Sequence, residues 1–268
     1  MTKSRNIKNK WALVLFIIIL LGLTAPGIWK WLNRPIPRKQ NDIPQLKFKT
    51  GDRLEGYPVS KQDGTILDCS EMTDRPALII FGMDGCRDCI ADFSSYGILY
   101  PLYQSDCFTV LFIWDDKVPQ SELDKLHIPP DASFSARGMY KFTDWVPSYY
   151  LLNETGAIQA ASIKLEEVIQ FLPQKQVTSE QLLQLTDGKP LLVGINRCDA
   201  CLKAYTTFRK AGESVCYGVQ GVETVTDASL VDAFADPYYI ISHAFGIDTY
   251  PTYLYVDKQG ALIEDTER

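Results

Sequence analysis

The chain of 268 residues is long enough for two domains of ordinary size, and its hydrophobic fraction of 46% excludes a disordered chain. Its net charge of −6 is unevenly spread: residues 1–39 hold eight basic side chains and no acid, leaving 19 basic against 33 acidic residues in the remainder. A body that acidic repels a phosphate backbone, so no nucleic-acid partner is expected.

From Trp11 to Trp29 no side chain is charged. At 1.5 Å per helical residue this stretch reaches about 28 Å, close to the thickness of a bilayer's hydrocarbon core. Trp11, Trp29 and Trp31 bracket it, as indoles do at membrane interfaces. The pattern predicts a single-pass transmembrane anchor over residues 11–29 behind a cytoplasmic tail of residues 1–10. A cleaved signal peptide is the rival reading; its one small-residue site ends at Ala25, and Pro26 directly after it should block cleavage. No cysteine lies nearby to take a lipid. Four basic residues flank the span on each side, so charge alone does not orient it. The short tail and the cysteine chemistry place the N-terminus inside and the body outside the cytoplasm, at the cell membrane. Residues 30–45 carry Pro35, Pro37 and Pro44 and read as a semi-rigid stalk.

The body reads as α/β. Asp63-Gly64 between alternating apolar residues signals a β-hairpin. ALIIFG (Ala77–Gly82) reads as a buried strand running into Cys86-Arg87-Asp88-Cys89, and a helical stretch follows from Ile90 to Tyr103. Cys107–Trp114 is a second buried strand. A short helix capped by Ser121 is expected next, then strand, turn at Glu154–Gly156, strand. Ser162–Leu172 is apolar at helical spacing, with Pro173 closing it. The second half repeats this order. A helix capped at Thr178 or Ser179 leads to a strand at Pro190–Ile195 and then to Cys198-Asp199-Ala200-Cys201. A helix, a strand at Ser214–Gln220 and a closing strand-turn-strand complete it. Internal duplication is the simplest account.

Each CxxC pair follows a buried strand, opens a helix and precedes a proline that leads into an apolar strand: Val146-Pro147-Ser148 and Tyr250-Pro251-Thr252. On these landmarks, each occurring twice, residues 46–268 resemble the thioredoxin superfamily. The resemblance implies two tandem thioredoxin-like domains, residues 46–173 and 174–268. The first is similar to the membrane-anchored TlpA/ResA-type thiol–disulfide oxidoreductases, and the second to a plainer thioredoxin domain. It also implies that Pro147 and Pro251 are cis, so that Val146 and Tyr250 present their backbone to a bound substrate strand.

The chemistry follows from the helix terminus. Thiolate is the attacking species, and unpaired N–H groups at a helix N-terminus lower a thiol's pKa. Cys86 and Cys198 are the candidate nucleophiles. Cys89 and Cys201, three residues on, would resolve the mixed disulfide. Arg87 and Arg197 favour the thiolates, while Asp84, Asp88 and Asp199 oppose them. No cofactor or metal is called for. Half of a zinc site is the other use of a CxxC, but two pairs far apart, each after its own strand, fit separate redox sites better. A permanent structural disulfide in a degenerate domain is the third reading.

Cys107 and Cys216, at the heads of corresponding strands, are expected to be buried as small apolar residues. A third disulfide among Cys69, Cys107 and Cys216 stays open. His127 and His243 read as structural, and the tyrosine-rich runs as core or groove wall.

The sequence also departs from the resemblance. A buried acid stands six residues before the first cysteine in many thioredoxins; here Ile80 and Leu192 occupy those places, and Gly85 and Arg197 replace the usual tryptophan. The last strand reaches almost to Arg268, so the second domain is expected to lack the family's final helix. The sheet near residues 250–265 would then need cover from the first domain or a partner. The expected function is thiol–disulfide exchange on exported proteins or peptides, with a membrane redox partner. The alternative is a degenerate thioredoxin-fold binding or chaperone module.

Overall fold

The computed structural model describes residues 46–83, 86–125, 128–137, 143, 145–174 and 177–266. The predicted tail, anchor and stalk lie outside these, as does His127. Among the described residues no helix is long and apolar enough to cross a membrane.

The hairpin forms as read. Strands β1 (Pro58–Lys61) and β2 (Ile66–Asp68) pair antiparallel around a turn in which Gly64 takes φ +90°, a left-handed conformation that glycine adopts at little cost. Strand β3 (Ala77–Gly82) is buried at every residue. The helical stretch after it is two helices, α1 (Arg87–Ala91) and α2 (Phe93–Tyr103), divided at Asp92. The break falls where the Asp92 carboxylate is held by tyrosine hydroxyls. Strand β4 (Thr109–Trp114), also fully buried, starts two residues later than expected. Cys107 is therefore exposed, a correction to the expected burial: it sits in a turn closed by Ser105, whose N–H donates to the Phe108 carbonyl at 2.9 Å.

Helix α3 (Gln120–Lys125) begins one residue before Ser121, so Ser121 is not its cap; the Pro119 carbonyl takes the first N–H groups instead. A short β5 (Ser133–Ser135) precedes β6 (Ser148–Leu152) and β7 (Ile158–Ser162). The helix expected over Ser162–Leu172 shrinks to α4 (Glu166–Ile169), because Ser162 is still paired with Tyr149 across the sheet.

In the second half α5 (Ser179–Thr186) carries a full capping box between Thr178 and Gln181. Strand β8 (Leu191–Ile195), α6 (Asp199–Lys210), β9 (Cys216–Gln220), β10 (Ala233–Asp236), α7 (Ile240–Phe245), β11 (Thr252–Val256) and β12 (Leu262–Asp265) follow.

The sheet orders are β2-β1-β5-β4-β3-β6-β7 and β10-β9-β8-β11-β12. Their shared part is the same construction twice. A central strand has a parallel neighbour on one side and an antiparallel pair on the other: β4-β3-β6-β7 and β9-β8-β11-β12. Strands β5 and β10 each add one more parallel strand, β10 at the edge of its sheet and β5 between β4 and β1. Neither was predicted, since three or four residues of mixed polarity carry no readable period.

The described residues form one compact unit. One face of the second sheet, with Leu191, Val193 and Leu254, belongs to the same continuous core as the first sheet. Helix α2 supplies the join, packing on α5, α7 and β10. The other face of the second sheet, with Leu192, Tyr217 and Tyr253, packs on α6. There Phe208 stacks on Tyr253 at 4.7 Å, and Tyr255 lies beside Tyr253 at 5.3 Å, so aromatic rings cover the sheet near its last strands.

Candidate active sites

Both CxxC pairs stand at the carboxyl end of a central strand and enter a helix. The paired sulfurs are bonded as disulfides, with Cα atoms 5.3 Å apart in Cys86–Cys89 and 5.2 Å in Cys198–Cys201. In each pair the first cysteine is half-buried and the second is wholly buried. Partners can therefore reach only the first. The Cys89 N–H points at Cys86 Sγ, and the Cys201 N–H at Cys198 Sγ, both at 3.1 Å. Once the disulfide opens, these donors stabilise a thiolate on the first sulfur.

The prolines lie opposite. Val146–Pro147 and Tyr250–Pro251 are both cis peptides. The Cys86 sulfur is 3.6 Å from the Val146 carbonyl oxygen, which brings the first candidate nucleophile and its predicted substrate-pairing residue together. At the second site Pro251 and Ala200, the residue just before Cys201, line an open groove of about 400 Å³ that runs along α6 past Ala204, Thr207 and Phe208.

Arg87 and Arg197 are exposed. Arg197 takes φ +60°, a left-handed conformation unusual for a side-chain-bearing residue, directly before the nucleophile.

Ile80 and Leu192, at the places where an acid was missed, are buried and apolar. Among the described residues two carboxylates are buried elsewhere: Asp92 and Asp236. Asp92 follows Cys89 by three residues, and its N–H donates to the Cys89 carbonyl at 3.2 Å. Its carboxylate accepts from the Tyr149 hydroxyl, on the strand that follows cis-Pro147, and from the Tyr238 hydroxyl of the second half at 2.5 Å. Burial raises the Asp92 pKa above the ordinary carboxylate value, against the opposing effect of the two tyrosine donors.

Asp236 accepts from the Ile240 and Ile241 N–H groups at 2.9 Å and from the Gln220 amide at 3.2 Å. Gln220 in turn accepts from Ser242, whose hydroxyl is 2.7 Å from that of Tyr250. A polar chain thus links Asp236 to the residue before cis-Pro251. Beside Cys201 the neighbour is a phenol. A methyl group on Gly194 would stand 2.8 Å from both Cys201 Cβ and Tyr217 Oη.

Of these supporting residues, Tyr250 was read from the sequence as a substrate-pairing residue and Tyr149 and Tyr238 as core or groove wall, whereas Asp92, Asp236, Gln220, Ser242 and Gly194 were not read. Among the latter only Asp92 carried a usable signal, its spacing of three from Cys89. Among the described residues no cluster of His, Cys, Asp and Glu is arranged to hold a metal ion.

Strand order, a CxxC at the end of the central strand and a cis-proline facing it recur in both sheets. Both halves have the thioredoxin fold. No family model matches the chain, and no curated protein does. Several solved structures are similar. The thioredoxin domain of a thiol-disulfide oxidoreductase from Bacteroides vulgatus is 14% identical over 47% of this chain and 100% of that one, with a TM-score of 0.40. A thiol:disulfide interchange protein from Bacteroides sp. is 14% identical over 44% and 83%, with a TM-score of 0.38. A secreted Mycobacterium tuberculosis disulfide oxidoreductase homologous to E. coli DsbE is 16% identical over 40% and 83%, with a TM-score of 0.33.

Proposed function

We propose that the protein is a thiol–disulfide oxidoreductase, held at the cell membrane by residues 11–29, that acts on exported proteins or peptides through Cys86/Cys89 and Cys198/Cys201. The observation that carries this reading is the pairing at each site of a reachable first sulfur, receiving a backbone N–H, with a fully buried second sulfur. That asymmetry suits attack by one cysteine and resolution by the other. The N-terminal hairpin, present only in the first half, supports its likeness to the TlpA/ResA type. The anchor and the extracytoplasmic placement of the body rest on the uncharged span and its flanking tryptophans.

The test is thiol trapping on the purified full chain with and without dithiothreitol, read by mass spectrometry peptide by peptide. Both CxxC peptides should change from disulfide to trapped dithiol. If neither changes state, the reading fails. The apolar residues at Ile80 and Leu192 favour one second reading, a binding module that keeps the fold without turnover. It predicts that a double Cys86→Ser, Cys198→Ser variant retains function in cells.

A further inference from the structure

A buried carboxylate is costly to ionise, and it persists where it has partners and a use. Asp92 has three structural ties. It follows Cys89 by three residues, one turn away, and its N–H donates to the Cys89 carbonyl at 3.2 Å. Both side chains are buried. Tyr149 ties it to the strand that begins at cis-Pro147, and Tyr238 ties it to the second half of the molecule. Ile80, six residues before Cys86, is buried and apolar and supplies the resolving thiol with no acid.

We propose that Asp92 accepts the proton of Cys89 when the first site closes its disulfide, and that Tyr238 is a positioning residue through which the second half sets how readily it does so. The step rests on the oxidoreductase reading above. A partner disulfide is first attacked by the Cys86 thiolate, giving a Cys86–partner mixed disulfide and one partner thiolate. Cys89 then passes its proton to the Asp92 carboxylate, directly or across one water. The Cys89 thiolate attacks Cys86 Sγ, the Cys86–Cys89 bond forms, and the bond to the partner breaks with the electron pair leaving on the partner's second sulfur. Asp92 returns the proton to solvent or to that thiolate. The dithiol has lost two electrons and the partner disulfide has gained them.

The groups that face Asp92 set the sign of each change. Tyr149 and Tyr238 donate to it, and Tyr96 stands behind Tyr149 with the two hydroxyls 3.2 Å apart. Glu166 from α4 and Asp88 from α1 add negative charge that disfavours its ionisation. The Tyr238 donor favours the carboxylate form, so removing it moves Asp92 titration to higher pH. Removing the carboxylate removes that titration altogether.

The experiment mixes reduced full chain with glutathione disulfide across a pH series, quenches in acid, alkylates, and follows each CxxC peptide by mass spectrometry. Wild-type closure at Cys86/Cys89 should show a step in rate against pH. Asp92→Asn should slow closure by about tenfold or more and abolish the step, so that the glutathione adduct on Cys86 accumulates. Tyr238→Phe, which keeps the ring, should move the step to higher pH. Closure at Cys198/Cys201 in the same molecules should stay at the wild-type rate, which also reports on folding. Superimposable Cys86/Cys89 profiles in wild type and either variant overturn the proposal while leaving the oxidoreductase reading intact. A loss that strikes both sites equally also overturns it. If wild-type Cys86/Cys89 does not react with the disulfide at all, both readings fall.

Discussion

The side-chain amide of Gln181 donates a 2.8 Å hydrogen bond to the backbone carbonyl of Gln104, at the carboxyl end of α2, and a second of 3.1 Å to the carbonyl of Leu102. The last carbonyls of a helix have no partner within it, and here the second half of the molecule supplies one. The other end of the same amide accepts from the Thr178 N–H, so Gln181 both caps its own helix and terminates its neighbour.

This double use makes a precise exchange damaging. Gln181→Glu keeps size and shape but turns two donated bonds into contacts between a carboxylate and carbonyl oxygens. The expected loss is about 3 kcal/mol, or roughly 6–12 °C in melting temperature for a unit of this size. Thermal unfolding followed by circular dichroism checks it. A melting point within a degree of wild type would show that the two halves do not rely on this contact.

Another polar bridge across the same join titrates. Tyr103 Oη lies 2.9 Å from His243 Nδ1, and burial of the imidazole lowers its pKa despite the Gln170 backbone carbonyl, which acts in the opposite sense. An unfolded histidine binds its proton near pH 6.5, whereas the folded one waits for lower pH. Between those values the unfolded state holds more protons, so stability rises with pH. The contribution is complete above about pH 6.5 and is lost as pH falls toward the folded value. His243→Gln should therefore show a shallower loss of melting temperature between pH 7.5 and 5.5 than wild type. Parallel curves for the two proteins would remove His243 from the account.

Gly82 and Gly194 are required by contact and not by backbone angle. A methyl on Gly194 would meet Cys201 Cβ and the Tyr217 ring and hydroxyl at 2.8 Å, and one on Gly82 would meet the Trp114 ring at 2.7 Å. Cys201 is fixed by its helix and its disulfide, and Trp114 is stacked on Phe112 and donates to Ser133 Oγ at 3.2 Å. Neither neighbour moves freely, so Gly82→Ala and Gly194→Ala should each cost about 1–3 kcal/mol by overpacking. Denaturant unfolding measures the loss. Gly194→Ala should in addition change how readily Cys198/Cys201 is reduced while leaving Cys86/Cys89 alone.

These cases mark what the sequence made legible. Strands β3 and β8, the hairpin, the Thr178 cap, both CxxC pairs and both prolines rest on local signals: apolar runs, a turn dipeptide, a capping residue, a motif at fixed spacing. The parts that went unread are set by partners far along the chain. Asp92 divides a helical stretch that looks continuous, and two of the groups holding it are Tyr149 and Tyr238, from distant strands and loops. Cys107 is apolar by type and stands beside an apolar run, yet a turn closed by Ser105 keeps it in solvent. Tyr217 reads as an ordinary strand tyrosine until Gly194 on the next strand lets it approach Cys201.

The division of labour within each CxxC yields a covalent test. Cys86 and Cys198 are half-buried, whereas Cys89 and Cys201 have no exposed surface, so only the first of each pair can be attacked by or attack a folded partner. Replacing the buried cysteine removes the intramolecular attacker and leaves the mixed disulfide to wait for an outside thiol. Cys89→Ala should accumulate partner adducts on Cys86, and Cys201→Ala adducts on Cys198, visible as species of higher mass on non-reducing gels that collapse with dithiothreitol. The reciprocal variants, Cys86→Ala and Cys198→Ala, should form none, because the remaining thiol is out of reach. Adducts on Cys89 or Cys201 would reverse the assigned roles. Adducts in the Cys89→Ala protein but not in the Cys201→Ala protein would identify the first site as the one that meets partner proteins, and would leave the second to exchange with smaller thiols.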